Sequence, residues 1–326
     1  MRFKGTRLLL TGLLVCAGSA SAQESASAFP SKVVTIVVPV ATGGANDQEA
    51  RVYATKMSAT MGKAFVLDYK PGAGSTIGTG YVAKAAPDGY TLLAISPNFT
   101  VLPLLYKNVN FDPLRDFAPV SQMSQRTTVL LVSPGFAAKS IAEYLSYARN
   151  NPGKINFGTA GAGSGTHLAG AWLHSASSTS VTFVHYKGIG PAMLDLITGR
   201  VDATAAILAP SMPQIKSGKV RAIAIMNAER SKLQPDLPTV AEQGLAGYNW
   251  ATWLGFVAPA ATPAAIVNKL SENFARVVKL PDVIASLEAE GSLLVGNTPA
   301  QFRQILATDA AIWRKVVQDN GIELTE

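Results

Sequence analysis

The sequence is poor in thiols and in charge. Cys16 is the only cysteine among 326 residues, and charged residues make up only 15% of the chain. Cys16 lies in an N-terminal segment that we expect to be removed, so disulfides and thiol catalysis are excluded for the mature protein. After residue 22 the basic residues number 25 and the acidic residues 21, a formal net charge of +4. The basic residues are scattered rather than clustered, so we expect no nucleic-acid partner.

Metal and cofactor motifs are also missing. The chain has 3 histidines, with no His-x-x-x-His pair among them, and this spacing does not favour a metal site. Gly72, Gly74 and Gly78 come close to a dinucleotide fingerprint, but no acidic residue follows at the ribose-binding distance and no phosphate-loop lysine is present. We therefore expect neither a metal nor a cofactor.

The N-terminus has the pattern of an export signal. Arg2, Lys4 and Arg7 precede an apolar run over residues 8–17 that is too short to span a bilayer, and Ala20-Ser-Ala22 offers a small-residue cleavage site. The pattern predicts a cleavable signal peptide over residues 1–22. Lipid attachment at Cys16 is a weaker alternative, because Leu-Leu-Val before it lacks the usual small residue.

What the chain does have is three glycine-rich turns, each before a predicted helix. They cover residues 39–47, 71–75 and 157–167, and the first two follow predicted strands at 33–38 and 65–69. Glycine lets a backbone approach a ligand closely, and the free N–H groups of a helix start favour negative charge. No lysine or arginine lies inside the glycine runs. The turns predict a site that holds an anion with peptide dipoles.

Strand and helix patterns alternate along most of the chain. A βαβαβ order up to residue 95 favours a parallel sheet, a second set of strands and helices begins after Asp116, and the C-terminal part is helical. The 304 residues after the predicted cleavage site exceed one comfortable core. The sequence thus predicts an α/β protein with two domains.

A hydrolase is the main enzyme alternative, with Ser164 and His167 as its catalytic pair. The order Ala162-Gly-Ser-Gly-Thr166 does not match the Gly-x-Ser-x-Gly nucleophile elbow, so helix capping is favoured for both residues. Asp47 is expected mainly to cap a helix and stiffen the first turn. Asp202 either meets a ligand or closes a turn, and the sequence leaves both open.

An ordered series of short motifs resembles one family. The series includes Val37-Val-Pro39 with Gly43-Gly44 and Asp47, Lys70-Pro-Gly-Ala-Gly74, Ala86-Pro-Asp-Gly-Tyr90, Gly158-Thr-Ala-Gly-Ala-Gly-Ser164 with His167, Tyr186-Lys-Gly188, Gly199-Arg-Val-Asp202 and Leu237-Pro-Thr239. Together, from about residue 29 to the C-terminus, these motifs resemble the substrate-binding proteins of tripartite tricarboxylate transporters, also called the Bug family or TctC-like proteins.

The resemblance implies a two-lobed Venus-flytrap protein of the second periplasmic binding-protein type, which is not an enzyme. Residues 29–128 and 252–326 would form the first lobe and residues 129–251 the second, with crossings near residues 125–131 and 248–256. We expect a periplasmic monomer. It would bind a di- or tricarboxylate, an acidic amino acid or an aromatic carboxylate, and deliver it to membrane transporter subunits. A sensor kinase is the alternative partner.

The resemblance also implies which residues hold the ligand, through backbone N–H groups and bridging waters. The first lobe would supply Val40, Ala41, Thr42, Gly43, Gly44, Asp47, Gly72, Ala73, Gly74 and Ser75. The second would supply Thr159, Gly161, Gly163, Ser164, His167 and Asp202. Thr42, Trp172 and His185 depart from the family pattern, and we expect them to affect ligand choice.

Overall fold

A computed structural model describes residues 26–40, 42–43 and 45–320. The predicted signal peptide over residues 1–22 lies outside these residues, as do Ala41 and Gly44 of the first glycine turn. Within the described part of the chain, every helix is too short or too polar to cross a bilayer.

The first sheet has six strands in the order β11-β4-β10-β3-β1-β2. Their bounds are β1 Val34–Val38, β2 Phe65–Tyr69, β3 Thr91–Ile95, β4 Phe117–Arg126, β10 Thr252–Pro259 and β11 Ser292–Leu294. β1 pairs in parallel with β2 and β3, as the βαβαβ pattern predicts. The strands added from later in the chain make the sheet mixed, because β10 runs antiparallel to both β3 and β4, and β11 runs antiparallel to β4.

The second sheet has five strands in the order β7-β6-β8-β5-β9. Their bounds are β5 Thr128–Val132, β6 Asn156–Thr159, β7 Thr182–His185, β8 Ala203–Ile207 and β9 Arg221–Ile225. β6 is parallel to β7 and β8, whereas β5 is antiparallel to β8 and β9. Two open mixed sheets make this a two-lobed α/β fold, as predicted.

Helices cover both sheets. They are α1 Ala45–Met61, α2 Thr76–Ala83, α3 Leu102–Leu105, α4 Ile141–Asn150, α5 Gly165–Ala176, α6 Ile189–Thr198, α7 Leu208–Lys216, α8 Ala264–Val277, α9 Pro281–Ala289 and α10 Pro299–Asn320. Local sequence explains several of the ends. The Ser140 and Ser164 side chains accept hydrogen bonds at the starts of α4 and α5, and Gly199 ends α6 in the left-handed region.

The chain passes between the sheets in two places. Thr127 alone separates β4 from β5, and residues 226–251 connect β9 to β10. The division into lobes at residues 128 and 252 remains a prediction, and α10 complicates it. Phe302 and Leu306 of α10 pack in the core of the first sheet, while Trp313 and Val316 pack in the core of the second. One helix therefore contributes to both cores.

A buried ion pair holds the end of β4, one residue before the first crossing. Arg126 and Glu49 are 4% and 1% exposed, and their charged groups lie 3.3 Å apart. The Glu49 carboxylate also accepts hydrogen bonds from the hydroxyls of Ser124 and Ser292. Removing one partner of such a pair leaves a charge buried without compensation.

We predict that Arg126→Leu lowers the free energy of unfolding by about 3–5 kcal/mol at pH 7. Adding Glu49→Leu should recover much of this loss, because the uncompensated carboxylate is then gone. Arg115→Leu is the matched control, since its ion pair with Asp116 is exposed, and it should change stability little. Urea unfolding measures all four proteins. A double variant no more stable than Arg126→Leu would contradict the role of the pair.

Candidate functional site

A cavity of about 280 Å³ lies where the second and third glycine turns approach each other between the two sheets. We call it the cleft. The lining residues are Pro39, Val40, Pro71, Gly72, Gly74, Ser75, Asn98, Leu102, Leu105, Tyr106, Ala162, Gly163 and Ser164. Six of the residues predicted for the site are therefore brought together around one cavity. No lysine, arginine, aspartate or glutamate is among these lining residues.

The second glycine turn has a strained backbone. The φ angles of Gly72, Ala73, Gly74 and Ser75 are 129°, 43°, 62° and 90°. Ala73 and Ser75 thus occupy a region that residues with a Cβ rarely adopt, and such strain is often found at ligand sites. The Tyr106 side chain lies against Gly74, where a Cβ would come within 2.0 Å of the Tyr106 hydroxyl. The φ angle favours glycine at that position, and the Tyr106 side chain leaves no space for a Cβ.

The strained turn leads into the first residues of α2. Ser75 N–H donates to the Gly72 carbonyl and Thr76 N–H to the Ala73 carbonyl. The Ser75 hydroxyl makes no capping bond to the first turn of α2, so the side chain of that residue satisfies none of the N–H groups there. The helix start therefore keeps donors that an anion can use.

The third glycine turn places the start of α5 on the opposite side of the cleft. Ala160 N–H donates to Thr166 Oγ1 at 2.7 Å, and His167 N–H donates to Ser164 Oγ at 3.3 Å. Within the described part of the chain, the N–H groups of Ala162, Gly165 and Thr166 have no protein acceptor. Donors from two helix starts thus lie on the two sides of one cavity.

His167 supports the third turn as a neutral ring. Gly163 N–H donates to its Nδ1 at 3.0 Å, so the neutral imidazole carries its proton on Nε2. Burial, together with the neighbouring His185, lowers the pKa of His167 to about 4. Ser164 Oγ instead contacts Thr166 Oγ1 at 3.0 Å and the His167 backbone. With Nδ1 already occupied by Gly163, this local network does not resemble a serine–histidine catalytic pair.

The first glycine turn is stabilised by the Asp47 carboxylate. It accepts hydrogen bonds from Gly43 N–H at 2.7 Å, from the Tyr69 hydroxyl at 2.6 Å and from Arg51 at 3.2 Å. Burial opposes ionisation of Asp47, but these three donors together hold its pKa below the usual value. Asp47 is 2% exposed, so it braces the loop from inside. Val40 reaches the cleft, whereas Thr42 and Gly43 are exposed and do not line this cavity.

Thr159 and Asp202 lie at opposite ends of the second sheet. Thr159 is buried at the cleft end of β6, and its Oγ1 contacts His185 Nδ1 at 2.7 Å. Asp202 instead accepts a hydrogen bond from Asn156 N–H at 2.7 Å, at the start of β6. The length of β6 separates the two by about 10 Å. The structure therefore does not bring Asp202 to the cleft, and its carboxylate instead joins the segment before β8 to the start of β6.

Sequence reasoning missed Asn98, Leu102, Leu105 and Tyr106. Asn98 donates to the Gly74 carbonyl at 3.1 Å and accepts from Ser96 Oγ at 2.7 Å, so it holds the strained turn in place. These residues follow β3, whose carboxyl end lies beside that of β1. Ligands of open α/β sheets commonly bind at such ends, and this rule could have directed attention to the segment after residue 95.

Comparison with known proteins gives one family. The model of the tripartite tricarboxylate transporter family receptor matches residues 49–322. A solved structure of R. palustris Rpa4515 with adipate is 33% identical, covers 91% of this chain and 100% of its own, and has a TM-score of 0.76. The periplasmic binding protein BugD is also 33% identical, with coverages of 91% and 100% and a TM-score of 0.74.

A third solved structure carries a different acid. MatC (Rpa3494) from Rhodopseudomonas palustris, with bound malate, is 32% identical, covers 89% of this chain and 100% of its own, and has a TM-score of 0.74. The similarity thus extends over nearly all of the described residues in both sequence and fold.

We predict that Asp47→Asn lowers the free energy of unfolding by about 1–3 kcal/mol at pH 7, because hydrogen bonds to an ionised acceptor are lost. The depressed pKa of Asp47 stabilises the fold above pH 4, and this contribution disappears as the pH falls below that value. Urea unfolding at pH 7 and pH 3 should therefore show a difference that shrinks in acid. Asp88→Asn, at an exposed ion pair, is the control. An equal loss at both pH values would contradict the assignment.

Proposed function

The chain belongs to the tripartite tricarboxylate transporter receptor family, and from this premise we propose that it captures a small organic carboxylate in the cleft and delivers it to a transporter. Members of the family are solute-binding receptors, and this chain is a solute-binding receptor rather than an enzyme. The network around Ser164 and His167 agrees with that assignment, because it supports a turn instead of activating a nucleophile.

One observation carries the proposal: the glycine turns that precede α2 and α5 line one cavity, and that cavity has no charged side chain among its described lining residues. A carboxylate accepts several N–H bonds at once, and the partial positive charge of each helix start adds to them. Binding through fixed peptide dipoles costs little conformational entropy, because these groups are already oriented before the ligand arrives. The absence of a lining arginine or lysine favours a single carboxylate group between the turns.

The other walls of the cleft indicate the chemistry of the ligand beyond that carboxylate. Val40, Leu102 and Leu105 give the cleft apolar walls. Its polar side-chain groups are the hydroxyls of Ser75, Tyr106 and Ser164 and the amide of Asn98. Such a lining suits a short carbon chain with a second polar end. Adipate and malate, bound by two similar proteins, have this form. We therefore place dicarboxylates first among the ligand classes, ahead of acidic amino acids and aromatic carboxylates.

We further propose that the lobes close around the ligand. A carboxylate that bonds to both turns has contacts in the closed state that it lacks in an open one, and this difference shifts the equilibrium towards closure. Trp250 and Trp253 lie next to the second crossing and are both buried. Their fluorescence is a suitable reporter of that motion.

Location and partner complete the proposal. The signal-peptide pattern over residues 1–22 supports export to the periplasm, in line with the periplasmic binding protein BugD. Delivery to a permease and presentation to a sensor kinase use the same cleft. Deletion of the gene distinguishes them: delivery requires loss of ligand uptake, whereas sensing leaves uptake intact and removes a ligand-induced change in transcription.

We predict that protein refolded free of ligand binds at least one dicarboxylate with Kd below about 1 mM, a binding free energy beyond roughly −4 kcal/mol. Isothermal titration against adipate, malate, glutamate and nicotinate measures this, with 1,6-hexanediol as the uncharged counterpart of adipate. Mass spectrometry of co-purifying molecules is an independent check. Failure of every acid to bind below that limit would overturn the proposal.

We predict that Gly163→Asp reduces carboxylate affinity by at least about tenfold, because it places a negative charge between the turns and a Cβ 3.3 Å from Leu105 Cδ1. Gly218→Asp is the matched control. The φ angle of Gly218 is 68°, close to the 69° of Gly163, and a Cβ at Gly218 meets nothing within 4 Å. Both variants carry similar backbone strain, but only the first should lose binding.

Lys187→Ala completes that experiment. Lys187 is exposed and does not line the cleft, so we expect a smaller effect on affinity than from Gly163→Asp. A large loss in this variant would mean that side-chain charge, not the backbone, holds the anion.

A further inference from the structure

A second cavity lies beside the two crossings, walled by α10. It consists of an inner chamber of about 120 Å³ and an outer chamber of about 560 Å³, and Gln122, Gln125, Trp172, Asn249 and Asp309 line both chambers. We call it the crossing groove. It shares no lining residue with the cleft, although Pro97 lines the inner chamber and the next residue, Asn98, lines the cleft.

Asp309 is the one ionisable residue among the described residues that line the groove. The neighbouring positions on its own helix, Ile305, Leu306, Ile312 and Trp313, are uncharged. The other elements around the groove present only uncharged groups to it: Gln122 and Gln125 from β4, Trp172 from α5, and Asn249 and Trp253 around the second crossing. Within the described lining, the carboxyl therefore has no cation to compensate its charge.

The surroundings of Asp309 oppose its ionisation. Burial raises its pKa to about 7, and a hydrogen bond from Trp253 offsets only part of that effect. A carboxyl with this pKa is about half ionised near pH 7 and becomes fully ionised only at higher pH. A bound positive charge would supply the compensation that the protein itself does not provide.

The remaining walls also suit a cation with an alkyl part. Trp172, Trp250, Trp253 and Trp313 line the inner chamber, and indole faces attract ammonium groups. The carboxamide oxygens of Gln122, Gln125 and Asn249 also lie in this lining. Asn249 Oδ1 already accepts from Ala228 N–H at 2.8 Å and Gln122 Oε1 from Asn297 Nδ2 at 3.3 Å, so each of these two keeps one lone pair for a further N–H bond. A volume near 120 Å³ holds an ammonium group with its first methylenes, since a water takes up about 30 Å³ of liquid.

We propose that the crossing groove binds a small organic ammonium ion, whose N–H groups meet Asp309 and the carboxamide oxygens while its alkyl part lies against the indoles. An anion would meet no positive charge here and would oppose Asp309. A neutral alcohol would leave the ionised carboxylate uncompensated. This site is independent of the carboxylate proposed for the cleft, so either assignment can fail without the other.

Binding should release a proton. The ammonium ion keeps its charge throughout, because alkylamines titrate near or above the pKa of lysine at about 10.4. Below pH 7 Asp309 holds a proton that must leave before it can pair with the ligand, so affinity rises with pH and levels off above 7. Between pH 5.5 and pH 8 the ionised fraction, and with it the affinity, should increase roughly thirtyfold.

Isothermal titration with n-butylammonium tests the proposal at pH 5.5 and pH 8, with 1-butanol as the uncharged probe. Asp309→Asn keeps an acceptor for Trp253 and removes the charge, and Asp236→Asn makes the same change at an exposed site outside the groove. We expect wild type and Asp236→Asn to bind n-butylammonium equally at pH 8. Asp309→Asn should bind n-butylammonium at least tenfold more weakly than wild type does. Wild type should likewise bind 1-butanol at least tenfold more weakly than n-butylammonium.

A measurement on the unaltered protein covers the case in which Asp309→Asn fails to fold. Titration at pH 7 in two buffers of different ionisation enthalpy should report about half a proton released per n-butylammonium bound. No binding at 10 mM n-butylammonium, no proton release, or equal affinity for 1-butanol would each overturn the proposal, as would unchanged affinity in a folded Asp309→Asn variant.

Discussion

The cleft depends on four residues of backbone, Gly72–Ser75, held in conformations with positive φ. Ala73 and Ser75 each cost of order 1–2 kcal/mol there, so the surroundings must compensate. Asn98 supplies a hydrogen bond to Gly74 from one side, and Tyr106 fills the space over Gly74. Both follow β3, so the strand order of the first sheet, which sets β3 beside β1, stabilises the strained turn. That turn and the third glycine turn line the same cavity, so the cleft depends on this support.

Local pattern was enough to predict the strands and helices that bury apolar residues in a regular way. The apolar runs of β1, β3 and β5 and the glycine turns beside them follow from residue type and spacing. β4 does not, because Ser121, Gln122 and Ser124 are buried in it. Those side chains find partners only through tertiary structure: Ser121 donates to the Asn297 carbonyl and Ser124 to Glu49. When the hydrogen bonds of a strand's buried polar side chains come from distant segments, the strand's own sequence does not show that those side chains are buried.

The same distinction separates the predicted site residues. Gly72, Gly74, Gly163 and Ser164 could be predicted because a glycine turn before a helix has a chemical meaning by itself. Asp202 matches its family motif equally well, yet it sits at the far end of β6 and bonds to Asn156. Its local sequence indicates a neighbouring strand but not the end of the sheet at which the side chain lies. Asn98 and Tyr106 were missed for the converse reason: their role is to support a neighbour, and nothing in their local sequence shows which neighbour that is.

The helix α10 packs against both lobes, so it is an element that a movement of the lobes would affect. Its first turns pack with Trp253 of β10, and its later turns pack with Trp250 in the core of the second sheet. Any rotation of one lobe against the other must therefore change its contacts. The crossing groove opens along this helix, and only the step from Pro97 to Asn98 separates it from the cleft. A ligand that fixes Pro97 in one position would bias Asn98 and, through it, Gly74. Because such coupling is reciprocal for binding free energies, a carboxylate in the cleft would then change affinity in the groove by the same factor. Pro97 and Asn98 are the one pair of adjacent residues, among the described linings, of which one lines each cavity.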